Sequence, residues 1–64
     1  MKAIVKFKDN GARRQKTIEV EKNEPNAIVR KFIEVMNMHK YTYITTVKCG
    51  RIEYQWFGDA NGAF

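Results

Sequence analysis

Apolar and polar residues alternate from Lys2 to Lys8: Ala3, Val5 and Phe7 take one side, and Lys2, Ile4, Lys6 and Lys8 the other. A period of two predicts a strand with one buried face, because successive side chains leave a pleated backbone in opposite directions. Asp9-Asn10-Gly11-Ala12 follows. Asn-Gly tolerates two consecutive positive φ angles and is the strongest short hairpin signal. With Asn10-Gly11 as a two-residue loop, Phe7 opposes Arg14, Val5 opposes Lys16, Ala3 opposes Ile18, and Val20 extends the apolar face. The second strand is predicted from Arg13 to Glu21.

The period then changes. Asn23-Glu24-Pro25 opens a helix, since proline suits the first turn and acids there suit the helix dipole. Ile28, Val29, Phe32, Ile33 and Met36 recur at helical spacing as one apolar stripe, with Arg30, Lys31, Glu34 and Asn37 off it. The helix is expected to end near Met38, with His39 and Lys40 complementing its negative end.

Tyr41–Lys48 and Arg51–Phe57 predict a second hairpin around Cys49-Gly50, pairing Val47 with Ile52, Thr45 with Tyr54 and Tyr43 with Trp56. One face then carries Tyr41, Tyr43, Thr45, Val47, Ile52, Tyr54 and Trp56, and the other Thr42, Ile44, Thr46, Lys48, Arg51, Glu53, Gln55 and Phe57. Cysteine disfavours a positive φ, so a bulged loop is the alternative. Residues 58–64 have no periodicity and are expected to form a loose tail after a single domain over residues 1–57. The predicted fold is α+β: a ββαββ chain with a four-stranded antiparallel sheet of order 2-1-3-4. One helix covers the aromatic face and the other face stays open.

Composition narrows the chemistry. A chain of 64 residues buries only about 60% of its unfolded surface, which makes for marginal stability. The single Cys49 allows no internal disulfide and suits a reducing, cytoplasmic setting. No apolar run is long enough for a membrane span, and no signal-peptide core follows Met1. There is no serine and one histidine, which removes most nucleophile–base arrangements. His39 and Cys49 lack metal-ligand spacing and read as helix-end and turn residues. Glu19, Glu21 and Glu34 form no acid–base pair, and no phosphate-binding glycine loop is present. The expectation is a non-enzymatic protein without metal or cofactor.

Charge carries the functional lead. Residues 1–16 hold Lys2, Lys6, Lys8, Arg13, Arg14 and Lys16 against Asp9, whereas residues 17–64 hold six cations and six anions. The whole net charge of +5 therefore sits on the first hairpin. Lys2, Lys6, Lys8 and Arg13 are expected on the open face, with Lys48 and Arg51 near it and Arg14 and Lys16 at the rim of the helix side. A concentrated basic field attracts backbone phosphate or an acidic protein surface; as a solvated face, the same lysines would protect the sheet from edge-to-edge pairing. Ile4, Ile44 and Phe57 are expected as an apolar patch among the lysines, a candidate interface for a homodimer or partner. Tyr41, Tyr43, Tyr54 and Trp56 are expected in the core, although a one-residue slip would turn them into a stacking surface.

The opening Lys2-Ala3-Ile4-Val5-Lys6-Phe7-Lys8 segment resembles that of small archaeal chromatin proteins. The resemblance covers about a quarter of the chain, and their pattern has no central helix between two hairpins. The expected function is nucleic-acid binding through backbone phosphates, DNA or RNA. The alternative is a small protein-interaction module: a homodimer, or an inhibitor or adaptor of the phage or mobile-element type.

Overall fold

A computed structural model describes residues 1–37 and 42–59, with Phe57 described by its backbone. Its elements are β1 (Lys2–Asp9), β2 (Ala12–Glu19), α1 (Pro25–Met36), β3 (Tyr43–Cys49) and β4 (Ile52–Gly58). All strand pairings are antiparallel, and the sheet order is β2-β1-β3-β4. The expected α+β, ββαββ architecture is the one observed. Met38, His39, Lys40, Tyr41 and residues 60–64 lie outside the described residues.

The first hairpin follows its sequence pattern. Asn10 and Gly11 take φ angles of 52° and 84°, as a two-residue loop that continues the strand twist requires. Phe7 opposes Arg14, Val5 opposes Lys16 and Ala3 opposes Ile18. Ala3, Val5, Phe7 and Ile18 are buried, as is Val20 just beyond β2.

Helix α1 begins at Pro25, whose missing N–H costs nothing in the first turn. It ends at Met36, the last residue of the apolar stripe, rather than near Met38. Asn37 adopts the left-handed conformation and its N–H bonds back to the carbonyls of Ile33 and Glu34, closing the helix at Met36. Ile28, Val29 and Phe32 are buried, and Ile33 and Met36 pack against the core edge. The Phe7 and Phe32 rings meet at 4.9 Å in a tilted arrangement, joining the helix to β1.

The second hairpin departs from expectation in two ways. Its loop is Gly50-Arg51, because Cys49 pairs with Ile52. Gly50 supplies the positive φ (62°) at the first loop position, which removes the strain a cysteine would carry there. Cys49 is consequently a buried core residue at the end of β3, not a turn residue. Val47 now opposes Tyr54 rather than Ile52. This moves each partner by two positions, so the helix-facing side of Val47, Tyr54 and Trp56 is unchanged.

The second departure is a bulge. Lys6 pairs with Thr46 but Phe7 pairs with Ile44, so Thr45 is an extra residue in β3 relative to β1. A compensating irregularity lies between β3 and β4, where Thr46 pairs with Gln55 and Ile44 with Gly58. One inserted residue reverses the faces beyond it. Ile44, expected on the open face, is fully buried, and Tyr43, expected in the core, is 44% exposed. Ile52 keeps the helix-facing side but lies beyond the helix's cover, at 48% exposure.

The core is Ala3, Val5, Phe7, Ile18, Val20, Ile28, Val29, Phe32, Ile44, Val47, Cys49 and Trp56, with no buried polar or charged residue among the described ones. Trp56 is its largest member, and its indole N–H donates to the Asp59 carbonyl at 2.9 Å. The Tyr54 hydroxyl donates to Asn23 Oδ1 at 3.0 Å, tying β4 to the segment that leads into the helix.

Two substitutions test the core and the phase of the bulge. Trp56→Ala is expected to cost about 3–5 kcal/mol and Ile44→Ala about 2–5 kcal/mol, the usual range for emptying a buried aromatic or aliphatic site. Tyr43→Ala is expected to change stability by about 0.5 kcal/mol or less, as at exposed positions generally. Urea unfolding followed by circular dichroism measures all three. A costly Tyr43→Ala with a neutral Ile44→Ala would place the bulge elsewhere. Native Trp56 emission should be blue-shifted and weakly quenched by iodide.

Candidate nucleic-acid interface

The face of the sheet opposite α1 carries the candidate site. Lys2, Ile4, Lys6 and Lys8 leave β1 on this side, opposite Glu19, Thr17, Gln15 and Arg13 of β2. On the other flank of β1, Lys48 lies opposite Ile4, Thr46 opposite Lys6 and Tyr43 opposite Lys8. The register thus collects cations from three strands onto one surface.

A half-open depression of about 550 Å³ lies at the bulged end of this face. Lys6, Phe7, Lys8, Arg13, Arg14, Gln15, Tyr43, Thr45, Thr46 and Gln55 line it. No carboxylate is among them. Lys8 and Arg13 are direct cross-strand partners, a like-charge placement that destabilises a sheet when nothing neutralises it. Arg14 is the exception among these cations, since its guanidinium reaches Asp9 at 3.0 Å. That pair is exposed on the arginine side and contributes little to stability. The Lys8 ammonium lies 5.7 Å from the centroid of the Tyr43 ring, a cation–π contact that only the bulge makes available.

The two threonines at the bulge behave differently. The Thr45 hydroxyl donates to the Lys6 carbonyl at 3.1 Å, where the β1–β3 ladder is interrupted. The Thr46 hydroxyl oxygen is occluded and has no hydrogen-bond partner among the described residues.

The eight cations singled out in the sequence divide into groups. Lys6, Lys8, Arg13 and Arg14 converge on the depression. Lys2 and Lys48 share its face but lie toward the opposite end of the sheet. Lys16 opposes buried Val5 and projects exposed at the helix-side rim of edge strand β2. Arg51 is exposed in the second turn. The expected apolar patch does not form as stated: Ile44 is in the core because the bulge reverses its face, Ile4 is half-buried between lysines, and the Phe57 side chain lies outside the described residues. Sequence reasoning missed Thr45, Gln15 and Gln55 as parts of the site and reached Tyr43 only as the consequence of a one-residue slip. Gln15 and Gln55 were legible as open-face positions, whereas Tyr43 and Thr45 depended on the bulge.

Among the described residues no group of His, Cys, Asp and Glu could hold a metal ion, and no helix is long and apolar enough to cross a membrane. No family model matches the chain, and no curated protein or solved structure matches it.

The neighbouring threonines give a paired test. Thr45→Val removes a made hydrogen bond and is expected to destabilise by about 0.5–1.5 kcal/mol. Thr46→Val removes an occluded, unpaired hydroxyl and is expected to be neutral or stabilising by up to about 1 kcal/mol. Thermal melts of the two variants against the native chain decide it, and equal effects would refute the assignment. The thiol of Cys49, being 2% exposed, should react with Ellman's reagent only as fast as the domain opens.

Proposed function

We propose that this chain is a non-enzymatic nucleic-acid-binding protein that holds backbone phosphates on the open sheet face. The carrying observation is the depression lined by Lys6, Lys8, Arg13 and Arg14 without a carboxylate in its wall. Among the described residues Lys6, Lys8 and Arg13 form no ion pair, and Lys8 and Arg13 are set directly opposite one another. A bound phosphate would relieve that repulsion, and the release of counterions from a polyanion supplies the driving force. Lys2 and Lys48 extend the field along the same face, toward the opposite end of the sheet. The lining groups donate hydrogen bonds and positive charge; a carboxylate or imidazole to serve as general base is not among them. A free, buried thiol supports a reducing, cytoplasmic setting.

Affinity of about 10⁻⁴–10⁻⁶ M at physiological salt is expected, the range of the sequence-independent phosphate interaction. Fluorescence anisotropy with labelled oligonucleotides over an ionic-strength series measures it. Engagement of about three phosphates gives a log K against log salt slope of about −2 for single strands and −3 for duplex DNA. Replacing Lys6, Lys8 and Arg13 together with Gln is expected to abolish binding while leaving the melting temperature unchanged or raised, since the substitution removes cross-strand repulsion. Absence of binding even at low salt would overturn the proposal and direct attention to an acidic protein surface as the partner.

A further inference from the structure

The open face holds more than cations, and the additional groups say which form of nucleic acid it takes. We infer that the depression is built for a single strand, with one base stacked on Tyr43 and its flanking phosphates held by Lys8 and Arg13. This rests on the nucleic-acid reading above and deepens it.

Three observations support it. First, Tyr43 is 44% exposed on the cationic face while the other described large aromatics, Phe7, Phe32 and Trp56, are buried and Tyr54 is partly buried on the helix side. A phosphate-binding surface has no use for an exposed ring, whereas an exposed ring beside lysines is the pairing that single-strand binders use. Second, the site is concave. A depression of about 550 Å³ admits a base turned out of a strand, but the bases of a duplex are stacked and show only their edges in the grooves. Third, Gln15 and Gln55 stand in the wall of the same depression. Each side-chain amide offers a donor and an acceptor, the complement of a base edge freed from pairing.

The Lys8–Tyr43 contact fits this use. In the free chain the ammonium rests 5.7 Å from the ring centroid, shielding part of an exposed aromatic surface. A stacking base would take that place, and the flexible lysine would turn to the adjacent phosphate. Arg13, facing Lys8 across the β1–β2 ladder, brackets the same phosphate run from the other side. Binding would thereby exchange a weak exposed contact and a like-charge repulsion for a stack and two ion pairs.

Anisotropy titrations at one low salt concentration test this with four probes: a labelled deoxythymidine 12-mer, the matching uridine 12-mer, a duplex of the same length, and a 12-mer whose central bases are replaced by abasic sites. The abasic strand keeps the phosphate charge and lacks the bases. The native chain is expected to bind both complete single strands more tightly than the duplex, and the abasic strand about tenfold more weakly than the complete one, as loss of a base–aromatic stack implies. Tyr43→Ala should lose about tenfold on the complete single strand and change little on the abasic strand or duplex, while Tyr43→Phe keeps native affinity. Equal affinity for complete and abasic strands, or tighter binding of the duplex, overturns the inference and leaves the phosphate-binding function standing. Failure to bind any probe overturns both. The native-chain comparison does not depend on a variant folding.

Discussion

A single residue inserted in a central strand organises this molecule. Thr45 is extra in β3 relative to β1, and a strand has no way to absorb an extra residue without changing the face of everything beyond it. On the buried side this brings in Ile44, at 0% exposure, in place of Tyr43. An aliphatic side chain closes the core without a polar atom, whereas a tyrosine there would need a partner for its hydroxyl among residues that are wholly apolar. On the open side the same step presents an aromatic ring beside Lys8. The interrupted ladder is repaired locally by the Thr45 hydroxyl on the Lys6 carbonyl, so the cost of the bulge falls on a hydrogen bond that the bulged residue itself replaces.

Core and candidate site are therefore two faces of one register decision. Trp56, Phe32, Ile28, Ile44 and three valines, Val5, Val29 and Val47, supply the fully buried volume, and each such side chain contributes about 1.5–3 kcal/mol by leaving water. In a domain this small that burial has to offset both chain entropy and an unbalanced surface. The surface is unbalanced by construction. Lys8 faces Arg13 on adjacent strands, and among the described residues only Arg14 of the hairpin's lysines and arginines pairs with an acid. Such a face is stable enough to exist because water and salt screen it, and it becomes favourable when a polyanion replaces the mobile counterions. Its cost to the free domain and its use in binding have the same origin. The cations on edge strand β2, Arg13, Arg14 and Lys16, also discourage pairing with another sheet.

Much of this was legible in the chain itself. The alternation of residues 2–8, the Asn10-Gly11 turn and the helical stripe from Ile28 to Met36 are local patterns. Each is decided by backbone chirality or by the period of its own side chains, so the first hairpin, the helix and most of the core could be read directly, whereas the strand order followed only as the simplest way to connect them. The position of the cations on β1 and β2 followed from the same alternation. What the chain did not reveal begins at Cys49-Gly50, where two loop placements differ by one residue and only the glycine's tolerance of positive φ separates them. It continues at Thr45. Tyr43-Ile44-Thr45-Thr46-Val47 is β-favouring at every position, and nothing local says where the phase breaks. That was decided by the neighbours: Ile44 pairs with Phe7 of β1 on one side and Gly58 of β4 on the other and is buried, while Tyr43 is left exposed. Periodicity assigns faces only while the period holds; a bulge is a tertiary event, set by which side chain completes a core built from four separate segments.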